Sequence, residues 1–313
     1  MILVTGGSGF VGQALIRELV RRGLPYRTAG RRAGTCDVVV GEIDGSTDWS
    51  QALAGVDLVI HLAARVHVMN DKAVDPLAAF RASNTDGTLN LARRAAACGV
   101  KRFVFISTLK VNGEETRPGH TFRASDPPHP LDPYGVSKRE AEDGLSRIAA
   151  KTGMEVVCIR PPLVYGPGVK ANFAALYKLA SSGLPLPFLS IRNRRSMDYV
   201  GNLVDFILRC AEHPAAANRT FLVSDGDDVS LPVLISRIRA SLDKPARLFP
   251  MPPFVFTLAA RLLGKQDFAQ RLLGSLEADI AESRAVLGWT PPFTMADGLK
   301  AMVSEAGPPS RQK

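Results

Sequence analysis

Tyr134-Gly135-Val136-Ser137-Lys138 sets a tyrosine four residues ahead of a lysine, the spacing Y-x-x-x-K. On a helix, positions i and i+4 share a face, so phenol and ammonium stand together. A nearby ammonium favours phenolate and brings proton exchange by a phenol closer to neutral pH. Upstream, Phe105-Ile106-Ser107-Thr108 reads as the end of a buried strand. A hydroxyl at Thr108 and the phenol of Tyr134 would grip one oxygen, a carbonyl or a carbinol. Proton exchange there suits hydride transfer at the attached carbon, which needs a cofactor. The plainer reading of Y-x-x-x-K is a surface Tyr and Lys.

The N-terminus offers a place for such a cofactor. A short strand, Ile2–Thr5, runs into Gly6-Gly7-Ser8-Gly9-Phe10-Val11-Gly12, and a helical pattern follows over 10–22. A helix start presents unpaired N–H groups and partial positive charge, which suits a pyrophosphate. Gly6 and Gly9 permit the tight turn and close approach, and Gly12 lets the helix pack on the strand. A glycine-rich turn without a ligand is the alternative, because the motif alone is weak. The second strand ends Ala29-Gly30-Arg31-Arg32, with no carboxylate to bond a ribose 2′-hydroxyl. Two guanidiniums stand where a 2′-phosphate would lie, so NADP(H) is expected over NAD(H). The alternative is that Arg31 and Arg32 are solvated loop charges.

These residues need a scaffold, and the chain alternates strand and helix. Strand candidates are Ile2–Thr5, Tyr26–Ala29, Asp37–Val40, Leu58–Leu62, Arg102–Ser107, Glu155–Arg160 and Thr220–Val223. They are nearly continuous apolar runs, as strands covered on both faces are. Helical patterns lie at about 49–54, 74–98, 136–151 and 201–213. The expected class is α/β, a doubly wound parallel Rossmann sheet with right-handed crossovers. Prolines become dense after residue 165, and the alternation breaks. Residues 1–165 plus about 196–224 are expected to form the dinucleotide domain. Residues 166–195 plus 225–306 would form a smaller, mixed C-terminal substrate lobe, and 307–313 a loose tail.

The chain has 313 residues, 46% hydrophobic and 22% charged, enough for a sizeable core. Its net charge of +9 is scattered, with no helix-turn-helix signature and no basic run interleaved with aromatics. Nucleic acid is not an expected partner, whereas a phosphorylated substrate is. No metal-ligand spacing occurs. The four cysteines form no CxxC pair and read as buried free thiols, which suits a reducing, cytoplasmic setting. Met1 leads directly into a strand, so no signal peptide is expected. The apolar stretch Phe254 to Leu263 is broken by Arg261 and too short to span a bilayer. It is expected to be an amphipathic helix packed on the body. Whether 250–264 touches a membrane surface stays open.

Together the motifs resemble the extended short-chain dehydrogenase/reductases, the NAD(P)-dependent nucleotide-sugar epimerase, dehydratase and reductase group. The resemblance covers nearly the whole chain. It rests on Thr5–Gly12, His61-Leu62-Ala63-Ala64, Asn84-Thr85-Asp86-Gly87-Thr88, Ser107-Thr108, Tyr134–Lys138, Arg160 to Gly168, Arg195 to Asp205 and Leu287-Gly288-Trp289. It implies that Thr108 is the catalytic hydroxyl and Tyr134 the acid/base. Lys138 would bond the nicotinamide ribose and lower the Tyr134 pKa. The cofactor would also be met by Gly6, Gly9, Phe10, Val11, Gly12, Arg31, Arg32, Glu42, Ile43, Leu62, Ala63, Ala64, Asn84 and Ser107. Pro161, Leu163 and Val164 would pass beside the nicotinamide. His61 is expected to be structural. Thr108, Lys110, Asn112, Asn172 and Arg195 would face the substrate, although Arg192, Arg194 and Arg195 form a cluster that solvent alone would explain. A homodimer through the helices at 74–98 and 136–151 is expected.

The leading expectation is an NADP(H)-dependent reductase of a nucleotide-linked 4-keto-sugar, a UDP-4-keto-6-deoxy-N-acetylhexosamine used for surface polysaccharide such as O-antigen. Two departures from the epimerase pattern favour it: Asn112 where a tyrosine is usual, and no acid after the second strand. The alternative is a UDP-hexose or UDP-N-acetylhexosamine 4-epimerase. A dehydratase is disfavoured because Leu109-Lys110, not an acid pair, follow Thr108. A non-catalytic dinucleotide sensor is the alternative of another class.

Overall fold

The computed structural model describes residues 1–66, 75–262 and 272–306. Strands β1 (Ile2–Thr5), β2 (Tyr26–Gly30), β3 (Val38–Val39), β4 (Leu58–His61), β5 (Arg102–Ile106), β6 (Glu155–Arg160) and β9 (Arg219–Leu222) form one sheet in the order β3-β2-β1-β4-β5-β6-β9. Every pairing in it is parallel. Leu3, Val4, Val59, Ile60, Phe103, Val104 and Phe105 are fully buried, as strands sandwiched between helices must be. One face is covered by α2 (Ser50–Leu53), α4 (Thr88–Ala97) and α5 (Pro133–Thr152), through Leu53, Leu91, Ala95, Ala141 and Leu145. The other is covered by α1 (Phe10–Arg21) and α7 (Val200–Glu212), through Leu15, Leu19, Leu203, Phe206 and Ile207.

The chain differs from the pattern reading in five places. The helix expected at 74–98 is composite: α3 (Pro76–Phe80), a π-helical stretch Arg81–Gly87, then α4. Residue 74 lies outside the described residues. The helix expected from 136 begins at Pro133, capped by Asp132, whose Oδ1 accepts from Gly135 N at 2.6 Å. Proline at the first helical position loses no hydrogen bond, so the helix starts one turn earlier and takes in Tyr134. Two three-residue strands, β7 (Leu163–Tyr165) and β8 (Met197–Tyr199), pair in parallel beside the main sheet. Of the cysteines only Cys158 and Cys210 are buried, Cys98 being exposed.

The fifth difference concerns the smaller lobe. A separate core joins Tyr165 and Phe173 to Leu186, Ile235, Met295 and Leu299. It includes α6 (Ala171–Ser181), α8 (Leu231–Ser241), α9 (Pro253–Leu262) and α11 (Met295–Ala306). The segment carrying α10 (Ala281–Leu287) does not belong to it, although its place within 225–306 put it there. Ile280, Leu287 and Trp289 pack into the sheet core, with Trp289 edge-on to Phe206 at 4.7 Å and its Nε1 donating to Asp205 at 2.9 Å. A large apolar ring at the chain's far end completes the sheet's cover. The tail 307–313 lies outside the described residues. Among the described residues, no helix is long and apolar enough to cross a membrane.

The order β3-β2-β1-β4 reverses direction between β1 and β4. A doubly wound sheet has its ligand crevice there, at the strands' carboxyl ends.

Candidate active site

The loop after β1 and the loop after β4 meet in that crevice. A Cβ added at Gly6, whose φ is +74°, would come within 2.6 Å of Ala63 N. One added at Gly12 would sit 2.2 Å from Gly6 O, inside contact distance of backbone that has nowhere to go. Thr5 Oγ1 lies 2.6 Å from His61 Nδ1 and accepts from Ala63 N at 3.3 Å, fixing one loop against the other. α1 starts at Gly9 without a side-chain cap and with no acid in its first turn, so its amides stay open for an anion. Gly12→Ala is expected to weaken dinucleotide binding by about tenfold or more, because only backbone can yield. Fluorescence titration with NADH and NADPH checks this, and unchanged affinities would refute the cradle.

His61 is structural, as expected. It is fully buried, its Nε2 lies 2.9 Å from Thr88 Oγ1, and its ring stacks on Phe105. Burial holds its pKa down at about 3, so it stays neutral.

Thr108 and Tyr134 arrive from different elements, the end of β5 and the first turn of α5. Three contacts bring the two together. Lys138 Nζ donates to Ile106 O at 2.8 Å. Lys110 Nζ pairs with Asp132 and, at 3.0 Å, with Glu114. Gly135 packs so near Lys110 that an added Cβ would stand 3.1 Å from its carbonyl oxygen. Thr108 Oγ1 accepts from Lys110 N at 3.3 Å, which leaves its O–H to donate elsewhere. The Tyr134 ring leans edge-on against Phe80 at 6.1 Å, and its hydroxyl has no partner among the described residues.

The electrostatics correct one expectation. The Tyr134 pKa is pushed up, first by burial and then by the Asp132 carboxylate, opposite in direction to the lowering expected. Lys138 is itself held down at about 7, because burial penalises its ammonium more than Glu142 supports it. Its Nζ sits 4.4 Å above the Phe105 ring.

Other expected contacts divide. Leu62, Ala63 and Ala64 are half-buried along the crevice, and Leu163 is exposed beside half-buried Val164. Pro161 is buried, its carbonyl accepting from Leu109 N at 2.9 Å. Ser107 Oγ is buried with no hydrogen-bond partner among the described residues. Phe10 and Val11 open α1 and are half-buried. Arg31 and Arg32 are exposed, Arg31 reaching Glu42 at 3.4 Å. The nearby Asp37 is already used, accepting from both Thr28 N and Thr28 Oγ1 at 2.8 Å.

Three expected ligand contacts have partners within the protein. Asn84 is fully buried; its Oδ1 accepts from Arg65 N at 2.8 Å, and its Nδ2 donates to Arg65 O and Ser137 Oγ. It orders the loop after β4 from the π-helical stretch, but its amide is used on protein. Ile43 belongs to the core, where its Cγ2 would lie 2.8 Å from a Cβ at Gly87. Asn112, expected in the pocket wall, is 2% exposed and fully engaged. It donates to Arg123 O at 2.8 Å and accepts from Arg160 Nη1 at 2.9 Å. Lys110 is held by its two carboxylates. Arg192 and Arg194 are exposed, Arg194 pairing with Glu277 at 2.7 Å, whereas Arg195 is half-buried and donates to Gly274 O at 3.0 Å. The side chain of Asn172 lies outside the described residues.

Two features that bear on the site escaped the pattern reading. Asp132 caps the helix of Tyr134 and shifts its pKa; the pair Asp132-Pro133 was a readable cap-and-start signal. Glu142 and Arg160 form a buried bidentate ion pair at 2.9 and 2.5 Å that pins α5 to β6. Spacing alone does not announce such a pair.

The residues present fit a dinucleotide: a cradle that a Cβ would fill, an uncapped helix start, a buried orphan hydroxyl at Ser107 and a lysine poised near neutrality. These features define the class of an α/β dinucleotide-binding fold, with Thr108 at the end of β5 and Tyr134 and Lys138 on α5. Residues 2–224 match the model of the NAD dependent epimerase/dehydratase family, and the chain belongs to that family. It is 48% identical over 305 residues to UDP-glucose 4-epimerase of Vibrio cholerae, covering 96% of this chain and 93% of the relative. It is 26% identical over 314 residues to N-acetyl-alpha-D-glucosaminyl-diphospho-ditrans,octacis-undecaprenol 4-epimerase of Escherichia coli O157:H7, covering 95% and 92%. The crystal structure of UDP-N-acetylglucosamine 4-epimerase from Bacillus cereus superposes with a TM-score of 0.80 at 20% identity, covering 98% of this chain and 99% of that one. That last likeness shows the fold.

Proposed function

We propose that this protein is an NAD(P)-dependent 4-epimerase of a UDP-linked hexose or N-acetylhexosamine. The supporting observation is a complete Thr108, Tyr134 and Lys138 set beside a dinucleotide cradle, in a chain 48% identical along 96% of its length to a UDP-glucose 4-epimerase. This replaces the reductase as the leading reading. The chemistry a nicotinamide supplies when bound is reversible hydride transfer at the sugar carbon. Tyr134, in its phenolate form, takes the proton from the C4 hydroxyl and returns it after the ring has turned over. Thr108 donates to the same oxygen and holds it in place. Lys138, with a pKa near 7, can carry the positive charge that favours that phenolate. We infer a homodimer through α4 and α5, which form a groove lined by Leu89, Ala96, Gly144 and Ile148.

One observation keeps the second reading, an NADP(H)-dependent 4-ketoreductase. Arg31 and Arg32 are exposed at the end of β2, and no free carboxylate stands there for a ribose 2′-hydroxyl. Assays of UDP-glucose/UDP-galactose and UDP-GlcNAc/UDP-GalNAc interconversion decide the matter, run beside NADPH and NADH consumption with a UDP-4-keto-6-deoxy-N-acetylhexosamine. Interconversion without net cofactor loss is expected. Stoichiometric NADPH loss without interconversion would establish the reductase. Arg31→Ala with Arg32→Ala would then weaken NADPH about tenfold or more and leave NADH unchanged.

A further inference from the structure

The smaller lobe carries an apolar, basic face on residues that do not contribute Thr108, Tyr134, Lys138 or the glycine loop. Two of its segments lie side by side: Leu186 N donates to Arg247 O at 3.0 Å, Phe249 N to Leu186 O at 3.0 Å, and Leu189 N to Phe249 O at 3.2 Å. Helix α9 joins them through Phe256, stacked on Phe188 at 5.4 Å. Phe188 and Phe256 turn inward, but their neighbours do not. Leu184, Leu189, Phe249, Phe254 and Leu258 are 62, 51, 41, 66 and 55% exposed. Phe254 and Leu258 are one helical turn apart and share a face. Single exposed leucines are ordinary; five large apolar side chains on three adjoining segments are not.

The face is built, not loose. Arg239 is fully buried and spends its guanidinium on carbonyls of both loops: Ala180 O at 3.0 Å, Leu184 O at 2.5 Å, Arg247 O at 3.3 Å, and Ala246 O. Its charge has one sign. Residues 182–197 and 244–266 contain no Asp or Glu, and Asp198, Asp243 and Asp267 only border them. Arg192, Arg247 and Arg261 are exposed, and none of them is in an ion pair among the described residues.

We propose that this face seats the protein on an anionic phospholipid surface. Phe254, Leu258 and Phe249 enter the headgroup boundary, and Arg192, Arg247 and Arg261 meet the lipid phosphates. A second copy of the same face would bring like charges together, so an anionic surface is the complementary occupant. The proposal is independent of which sugar is turned over.

The test is cosedimentation of the full chain with phosphatidylcholine vesicles and with vesicles rich in phosphatidylglycerol. Binding to the anionic vesicles is expected about tenfold or more above the neutral ones, falling as salt is raised. Phe254→Ser with Leu258→Ser, and separately Arg247→Glu with Arg261→Glu, are each expected to lower it about tenfold or more, with unfolding and turnover in solution unchanged. No sedimentation of wild type with anionic vesicles overturns the proposal, as does binding indifferent to both variants. Self-association that Phe254→Ser with Leu258→Ser abolishes, without vesicle binding, would overturn it too and assign the face to a second copy.

Discussion

Tyr134→Phe is expected to lower kcat by about 10²–10⁴-fold, the range for loss of a general acid–base group. Affinity for the dinucleotide and the unfolding midpoint should stay near wild type. The hydroxyl bonds nothing among the described residues, and the ring's edge contact with Phe80 survives in phenylalanine. The change therefore removes a proton carrier and no structural bond. Burial and Asp132 push the phenol's pKa up, which keeps it protonated through the neutral range. A loss of activity without loss of binding is thus the signature of a group that acts in the reaction. Turnover of UDP-sugars, measured with a cofactor titration and a denaturant melt, checks all three parts. Near-normal turnover would refute the assignment of Tyr134.

Arg160→Met should cost about 3–5 kcal/mol of stability, because it strands a buried carboxylate. Glu142 is 5% exposed, and Arg160 2%; two hydrogen bonds join them, and a third ties Arg160 to Asn112. Adding Glu142→Leu should restore part of the loss, since an apolar pair of similar volume replaces an ion pair at little cost. The pair also locates the chemistry. Glu142 lies one turn beyond Lys138 on α5, and Arg160 ends β6, so the bridge fixes the helix of Tyr134 and Lys138 against the sheet. Urea melts of the single and double variants measure the energies. A single-variant loss below about 1 kcal/mol would show that the pair is hydrated rather than buried.

By itself the sequence determined the sheet and where along it the glycine loop, Thr108, Tyr134 and Lys138 fall. Seven apolar runs became seven parallel strands because a strand buried on both faces has no reason to alternate. Gly6 and Gly12 were legible because no other residue fits where loop and helix backbones touch. Tyr134 and Lys138 were legible because helical spacing alone puts them on one face. Tertiary structure decided what those patterns leave free. Asn112 and Asn84 have the polarity of ligand contacts, yet burial against Arg160 and Arg65 consumed their hydrogen bonds. Trp289 stood among residues assigned to the smaller lobe, yet the sheet offered the apolar surface that a large ring needs. The titration of Tyr134 depends on how deeply α5 sits and on Asp132 at its cap, distances that no linear spacing encodes. Local periodicity is written in neighbours along the chain; desolvation and hydrogen-bond occupancy are set by neighbours across it.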